Sequence, residues 1–137
     1  MTAPGQPAGP AHSPRVLVVD DNPFNLELAS FVLLADGLVV ATAGDADEAR
    51  CRIADFQPDL ILMDIQLPGM DGLALTRRLK ADPATRLIVV VAFTAYAMKG
   101  DEAAMRAAGC DGYLAKPIDV TRFAAEVRGL LGAAAPA

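Results

Sequence analysis

Residues 15–23 read RVLVVDDNP, an apolar run that ends in two adjacent acids, Asp20 and Asp21, and is followed by Asn22 and Pro23. A short run rich in β-branched residues is typical of a buried strand of a parallel sheet. Asn is a good helix N-cap and Pro suits the first helical position, so a helix start is predicted here. Adjacent acids repel each other, however, and the repulsion grows where they are partly buried. Two explanations are open at this point: a helix cap alone, or a divalent cation held by oxygen ligands.

The same alternation of an apolar run and a helical pattern recurs five times along the chain. We number the predicted elements in chain order: β1 15–20, α1 22–36, β2 38–43, α2 45–56, β3 60–64, α3 73–81, β4 87–94, α4 97–108, β5 112–116 and α5 119–131. Buried strands joined by helical crossovers predict a parallel five-stranded sheet with helices on both faces, an α/β fold. The run in β4 is the longest, and we expect a central or near-central strand there. On α5, the apolar spacing predicts an inner face of Val120, Phe123, Val127 and Leu130.

Length and composition indicate the domain organisation and argue against some classes of binding partner. The 137 residues suit one domain, which we place at 15–131, with a disordered leader at 1–14 and a flexible tail at 132–137. The leader lacks the cationic start and apolar core of a secretory signal. A net charge of −5 argues against direct nucleic-acid binding. Because no apolar run reaches membrane-spanning length, we expect no membrane insertion.

The cysteine and histidine content limits the available chemistry. Cys51 and Cys110 form no CxxC motif, and their spacing does not suggest a metal site. We therefore expect two free thiols in a cytoplasmic protein. The only histidine, His12, lies in the leader, which argues against a histidine-based catalytic dyad.

Four of the five predicted strands end in polar residues that could take part in catalysis or ligand binding. These are Asp20 and Asp21 after β1, Asp64 after β3, Thr94 at the end of β4 and Lys116 at the end of β5. Any one of them alone is more often a turn, strand or solvated residue. The carboxyl ends of parallel strands share one edge of the sheet, where ligands bind in such folds. The joint pattern therefore predicts a pocket containing three carboxylates, a hydroxyl and an ammonium group.

Such a set of groups suits phosphoryl transfer. Three crowded acids call for a cation, and oxygen ligands without His or Cys favour Mg²⁺, with Mn²⁺ as the alternative. An ionised aspartate can act as the nucleophile that forms an aspartyl phosphate. The metal, the lysine and the threonine hydroxyl would then neutralise or bind the phosphoryl oxygens.

Four segments carry a family resemblance: VLVVDDNPFN at 16–25, LILMDIQLPGMDG at 60–72, FTAYAMKGD at 93–101 and GYLAKPID at 112–119. With them, residues 15–131 resemble the receiver domain of two-component response regulators. The resemblance implies a flavodoxin-like (βα)5 sandwich with strand order 2-1-3-4-5. It also implies that Asp64 is the phosphoacceptor. Asp21 matches the direct Mg²⁺ ligand, Asp20 the acid that holds the metal largely through water, and the Gln66 backbone carbonyl the third protein ligand.

The resemblance assigns further roles around the phosphoacceptor. Thr94 matches the switch hydroxyl, Lys116 the phosphate-binding lysine and Tyr113 the aromatic residue that turns inward on activation. The Lys116–Pro117 bond matches a cis peptide of the family. Gln66 and Tyr96 match the positions that tune hydrolysis of the acyl phosphate, and the bulk of Tyr96 predicts slow self-dephosphorylation.

The function implied is that of a phosphorelay receiver, not an enzyme beyond its own phosphorylation and dephosphorylation. The phosphoryl group would come from a histidine kinase or histidine phosphotransferase. Output would pass to a protein through the α4-β5-α5 face, from a monomer or a phosphorylation-dependent dimer, because no output domain follows Leu131. A stand-alone regulator is the first expectation, and a receiver excised from a hybrid sensor histidine kinase is the second.

Three other functions fit less well. A small Mg²⁺-dependent phosphohydrolase with an aspartyl phosphate usually has an acid two residues after the nucleophile, where this chain has Gln66. A flavodoxin-like cofactor module would need a Ser-, Thr- or Gly-rich phosphate loop after β1, where Asp20 and Asp21 would repel a phosphate. A receiver that no longer accepts phosphate is hard to reconcile with the complete set of site residues.

Overall fold

The computed structural model describes residues 13–67, 71–95 and 99–134. The described chain folds into five strands and five helices in strict alternation: β1 Arg15–Val19, α1 Pro23–Ala35, β2 Val39–Ala43, α2 Ala46–Phe56, β3 Leu60–Met63, α3 Gly72–Ala81, β4 Val89–Thr94, α4 Lys99–Ala108, β5 Gly112–Ala115 and α5 Phe123–Ala134. Within these residues, no helix combines the length and apolar character that a membrane crossing requires.

The five strands form one parallel sheet in the order β2-β1-β3-β4-β5. This order confirms the one implied by the resemblance, and β4 lies next to the central strand β3. Apolar side chains fill both sides of the sheet. One cluster, around Leu33, Phe93 and Phe123, packs against α1 and α5, and the other, around Ile53 and Leu75, packs against α2 and α3. Because the sheet is parallel, all five strands point their carboxyl ends toward the same edge, which we call the carboxyl edge.

Polar caps and a left-handed residue set the helix ends, and the predicted cap at Asn22 is confirmed. The Asn22 side chain accepts a hydrogen bond from the Phe24 N–H at 2.9 Å, with Pro23 in the first helical position. Asp45 and Asp71 cap α2 and α3 in the same manner. Gln57 ends α2 in the left-handed region, with φ of 53°. Asn22 thus caps α1, so helix capping does not explain why two acids stand next to each other before it.

Among the described residues, two predicted element starts are wrong by more than one residue. β4 begins at Val89, not at residue 87, and the Leu87 side chain is 87% exposed. The Ile88 N–H donates to the Thr85 carbonyl, so the chain is still in a turn there. Apolar character alone did not distinguish this turn from the strand that follows it.

α5 begins at Phe123 instead of residue 119 because Asp119 organises a separate turn. Its Oδ1 accepts hydrogen bonds from the backbone N–H and the hydroxyl of Thr121. Val120, expected on the inner face, is consequently 55% exposed, whereas Phe123 and Val127 are buried as predicted. The helix continues to Ala134, three residues beyond its expected end at Leu131.

Several sequence predictions fall outside the described residues. They concern most of the leader, including His12, the end of the tail, Tyr96 and the predicted first turn of α4.

Candidate functional site

The acids that follow β1 and β3 meet at the carboxyl edge. One carboxylate oxygen from each of Asp20, Asp21 and Asp64 lies within 4.8 Å of the others. The two strands are adjacent and parallel, and the Asp64 N–H donates to the Val19 carbonyl at 3.0 Å, which holds the two strand ends level. The predicted convergence of these three side chains is present in the structure.

The neighbouring acids Asp20 and Asp21 have opposite surroundings. Asp20 is fully buried, and its Oδ1 accepts the Asn22 N–H at 2.9 Å. Its Oδ2 accepts from the Asn25 amide at 3.3 Å and lies 2.7 Å from the Lys116 ammonium. Asp21 is exposed to solvent. An incoming cation would therefore meet one fixed, protein-bound carboxylate and one open to water.

Lys116 supplies the positive charge of the cluster. Its Nζ lies 3.4 Å from Asp64 Oδ2 in addition to the contact with Asp20, and its side chain is only 16% exposed. The ammonium also lies 5.2 Å from the centre of the Phe93 ring, within the range of a cation–π contact. The Lys116 N–H donates to the Thr94 carbonyl at 2.8 Å, and the Lys116–Pro117 bond is cis as expected. Backbone and side chain together hold this lysine over the acids.

Burial raises the pKa of the Asp64 carboxyl above its ordinary value, and the neighbouring charge of Asp20 raises it further. The Gln66 N–H, which donates to Asp64 Oδ1 at 2.9 Å, acts in the opposite direction together with Lys116. The balance favours the protonated form relative to a solvated aspartate. A cation held beside Asp64 would reverse that preference and favour the ionised carboxylate.

The remaining predicted residues lie around this cluster. Thr94 ends β4 and is 1% exposed, and Gln66 is exposed on the loop after β3. Tyr113, on the edge strand β5, is 39% exposed, so its side chain lies partly in solvent. Tyr96 lies outside the described residues.

Three residues that support the site were not singled out from sequence. Asn25 donates to Asp20, Phe93 lies beneath Lys116, and Gly72 approaches the backbone of Asp64 so closely that a β-carbon there would lie 2.1 Å from the Asp64 carbonyl oxygen. The available signal for Asn25 was a hydrogen-bonding side chain in the first turn of the largely apolar α1. The other two depend on contacts across the fold.

The donor set fits a small, hard divalent cation. The clustered ligands are carboxylate oxygens, and neither free cysteine belongs to the cluster. Mg²⁺ needs few protein ligands because it keeps several waters, and Asp21 leaves one side of the cluster open to solvent.

Residues 16–128 match the family model of the response regulator receiver domain. The chain belongs to this family. Phosphoryl acceptance in two-component signalling is the function of its members, which bind Mg²⁺ and are generally not classical enzymes.

Comparisons with individual proteins agree with this assignment. The receiver is 44% identical over 117 residues to the polar-differentiation response regulator DivK of Brucella anthropi, an alignment covering 85% of this chain and 95% of the relative. It is 30% identical to the signal receiver domain of a signal transduction histidine kinase from Syntrophus aciditrophicus, with a TM-score of 0.79 and coverage of 88% and 92%. The chemotaxis response regulator CheY4 of Vibrio cholerae, at 23% identity, TM-score 0.81 and coverage of 86% and 98%, supports the fold alone.

Proposed function

We propose that Asp64 accepts the phosphoryl group from a phosphohistidine of a histidine kinase or histidine phosphotransferase. Asp20, Asp21 and the Gln66 carbonyl would hold Mg²⁺ beside it. The observation that carries this assignment is the gathering of three carboxylates within 4.8 Å, with Lys116 against two of them. Of the three acids, Asp64 alone follows the central strand, and its Oδ1 is held by the Gln66 N–H. Its Oδ2 is therefore the oxygen that we assign to the transfer.

In the transfer, the ionised Asp64 carboxylate attacks phosphorus. A P–O bond forms, the P–N bond to the donor imidazole breaks, and the nitrogen keeps the electron pair. No general base is required, because an ionised carboxylate has no proton to lose. When bound, Mg²⁺ supplies positive charge that favours the carboxylate and offsets the charge of the phosphoryl oxygens.

Two side chains of this receiver would then bind the new group. The Lys116 ammonium, 3.4 Å from Asp64 Oδ2, lies close enough to exchange its contact with Asp20 for one with a phosphoryl oxygen. The Thr94 hydroxyl would donate to another oxygen, and Tyr113 would turn inward from its partly exposed position. The phosphoryl group places roughly two negative charges beside Lys116 and Thr94, where the carboxylate had one, and this charge drives the rearrangement.

We assign contacts with protein partners to two surfaces. We assign output to the α4-β5-α5 face, where Tyr113 is exposed, with a monomer or a phosphorylation-dependent dimer as the signalling species. We assign donor docking to α1, which begins beside the acids and exposes Phe24, Phe31 and Leu34. Such apolar exposure favours a protein donor over small phosphate esters.

The receiver would act in the cytoplasm, and the bulk of Tyr96 would slow self-dephosphorylation. The similarity to the receiver domain of a histidine kinase keeps a hybrid-kinase module as the second candidate.

Incubation with acetyl phosphate and Mg²⁺, followed by intact mass measurement, tests the assignment. We expect a gain of one phosphoryl group that Asp64→Asn abolishes. Asp71→Asn is the matched control, since it changes an acid of the same loop but keeps a residue that can cap α3. Labelling that persists in Asp64→Asn would overturn the assignment of the phosphoacceptor. Multiple turnover of a free phosphoester would instead favour a phosphohydrolase.

A further inference from the structure

A cleft of about 600 Å³ lies between the carboxyl-terminal halves of α2 and α3. Each of these helices runs back across the sheet after a parallel strand, so the cleft lies at the edge opposite the carboxyl edge. Neither the acids nor Lys116 line it. Its volume falls within the roughly 300–1,000 Å³ of small-molecule sites. We call it the α2–α3 cleft.

The floor of the cleft is apolar and belongs to the hydrophobic core. Ile53, Leu75 and Leu79 line it and are 7%, 1% and 6% exposed, respectively. Ile88, at the entrance to β4, completes the floor. Because these side chains are held by the packing of the sheet against α2 and α3, the floor exists before any ligand arrives.

The mouth of the cleft carries two guanidinium groups, Arg50 from α2 and Arg78 from α3. Arg50 is paired only loosely with Asp47, at 3.8 Å and with both side chains at least half exposed, so this pair competes weakly with a ligand. None of the residues described by the structure forms an ion pair with Arg78. The one acid at the rim, Asp82, uses its Oδ1 to accept the Ala84 N–H.

We propose that the α2–α3 cleft binds a small organic anion with an apolar body, of the class of aromatic or alkyl carboxylates and sulfonates. The apolar floor would take the body of the ligand and the two arginines its charge. The chain as a whole carries a net charge of −5. Two arginines with weak ion pairs or none, placed beside an apolar floor, therefore make this cleft a local site that favours an anion. The volume of the cleft suits a small molecule better than a protein partner, which buries about 800 Å² on each side of a standard interface.

The probe for this site is 8-anilinonaphthalene-1-sulfonate, an aromatic anion, titrated into the full chain by fluorescence. We expect saturable binding at one site, weakened about two- to fivefold by Arg50→Gln and by Arg78→Gln, the range for exposed ion pairs. Arg77→Gln, an exposed neighbour on α3 that does not line the cleft, is the matched control and should leave the affinity unchanged. Asp82→Asn should tighten binding, because it removes the opposing charge.

Two further measurements locate the probe. Neutral N-phenyl-1-naphthylamine should bind without sensitivity to the arginine variants, and amide NMR shifts on adding the sulfonate should concentrate on α2, α3 and the turn before β4. Asp64→Asn should bind the sulfonate as the wild type does, since the cleft is separate from the acids. Non-saturable binding, equal affinity of the arginine variants, or shifts centred on the exposed phenylalanines of α1 would each overturn the proposal.

Discussion

Lys116 Nζ lies 2.7 Å from Asp20 Oδ2, although the lysine follows β5 and the aspartate follows β1. Two strands, β3 and β4, lie between them in the sheet, so the lysine side chain reaches across the carboxyl edge. The contact neutralises a fully buried carboxylate and brings the same ammonium to Asp64. Stability and chemistry therefore depend on the same lysine.

Replacing the lysine should destabilise the receiver in a way that Mg²⁺ partly reverses. Lys116→Met leaves Asp20 buried without its cation, and we expect the free energy of unfolding to fall by roughly 3–5 kcal/mol in EDTA. Mg²⁺ should recover part of this loss because it binds the same acids. Urea unfolding with EDTA and with excess Mg²⁺ measures both effects.

Lys80→Met is the control for that recovery. Lys80 is also partly buried, and it pairs with Asp111 at 2.8 Å. It has no contact with the three clustered acids at the carboxyl edge among the ion pairs of the described residues. Its loss should destabilise the protein to the same extent with and without Mg²⁺. A Lys116→Met protein as stable in EDTA as the wild type would contradict the neutralising role of Lys116.

Replacing the exposed acid should separate metal binding from stability. Asp21→Asn removes one of three like charges, so in EDTA we expect a Tm equal to or above that of the wild type. Mg²⁺ binding should weaken about tenfold or more, because a unit charge near 4 Å is worth about 1–4 kcal/mol. Thermal melts across a Mg²⁺ titration test this, with the exposed Glu27→Gln on α1 as the charge-matched control. An unchanged Mg²⁺ dependence would exclude Asp21 as a ligand.

Gly72→Ala should distort the loop that holds the phosphoacceptor. A β-carbon at Gly72 would lie 2.1 Å from the Asp64 carbonyl oxygen, and backbone must move to admit it. We expect a loss of about 2 kcal/mol in the free energy of unfolding, together with slower labelling by acetyl phosphate. Urea unfolding and intact mass over time measure the two effects.

Gly129→Ala provides the opposite control for the glycine substitution. It lies within α5 with nothing inside 4 Å of the added carbon, so it should stabilise the protein by about 0.5–1 kcal/mol. Equal stability of the two variants would show that the close approach at Gly72 is not a constraint.

The exposed apolar face of α1 should matter only for protein donors. Phe31 is 73% exposed. With a phosphohistidine protein that labels the wild type, transfer to Phe31→Ser should be about fivefold slower, as expected for a central interface residue. Labelling by acetyl phosphate should not change. Leu87→Ser, at an even more exposed apolar residue before β4, should leave both rates unaltered. A uniform effect on both donors would argue against docking on α1.

The two thiols should react at different rates. Cys51 is exposed, whereas burial raises the pKa of the Cys110 thiol and the charge of Asp111 raises it further. Because the thiolate is the reactive form, Cys110 should react slowly with Ellman's reagent at neutral pH and gain speed as the pH rises toward its pKa. Cys51→Ser should remove the fast phase. A fast phase that persists in this variant would contradict the assignment.

The element pattern was predictable because it depends on local chemistry. The apolar run at 16–19 formed a buried strand, and Asn22 with Pro23 began a helix, since capping and φ restriction act within a few residues. The misplaced starts at Leu87 and Asp119 have the converse cause. There, turn hydrogen bonds took the chain out of regular structure while the composition still suited a strand or helix.

The sequence by itself determined that three acids, a threonine and a lysine would end strands of one parallel sheet, because apolar periodicity and crossover rules settle which way each strand points. Only the tertiary structure decided that Asp20 is buried against Lys116 while Asp21 faces solvent, that Gly72 abuts Asp64, and that two arginines flank an apolar cleft at the far edge. These relationships join residues that are distant in the chain or differ only in which side of the backbone they occupy. They are set by how the strands and helices pack, which no local pattern contains.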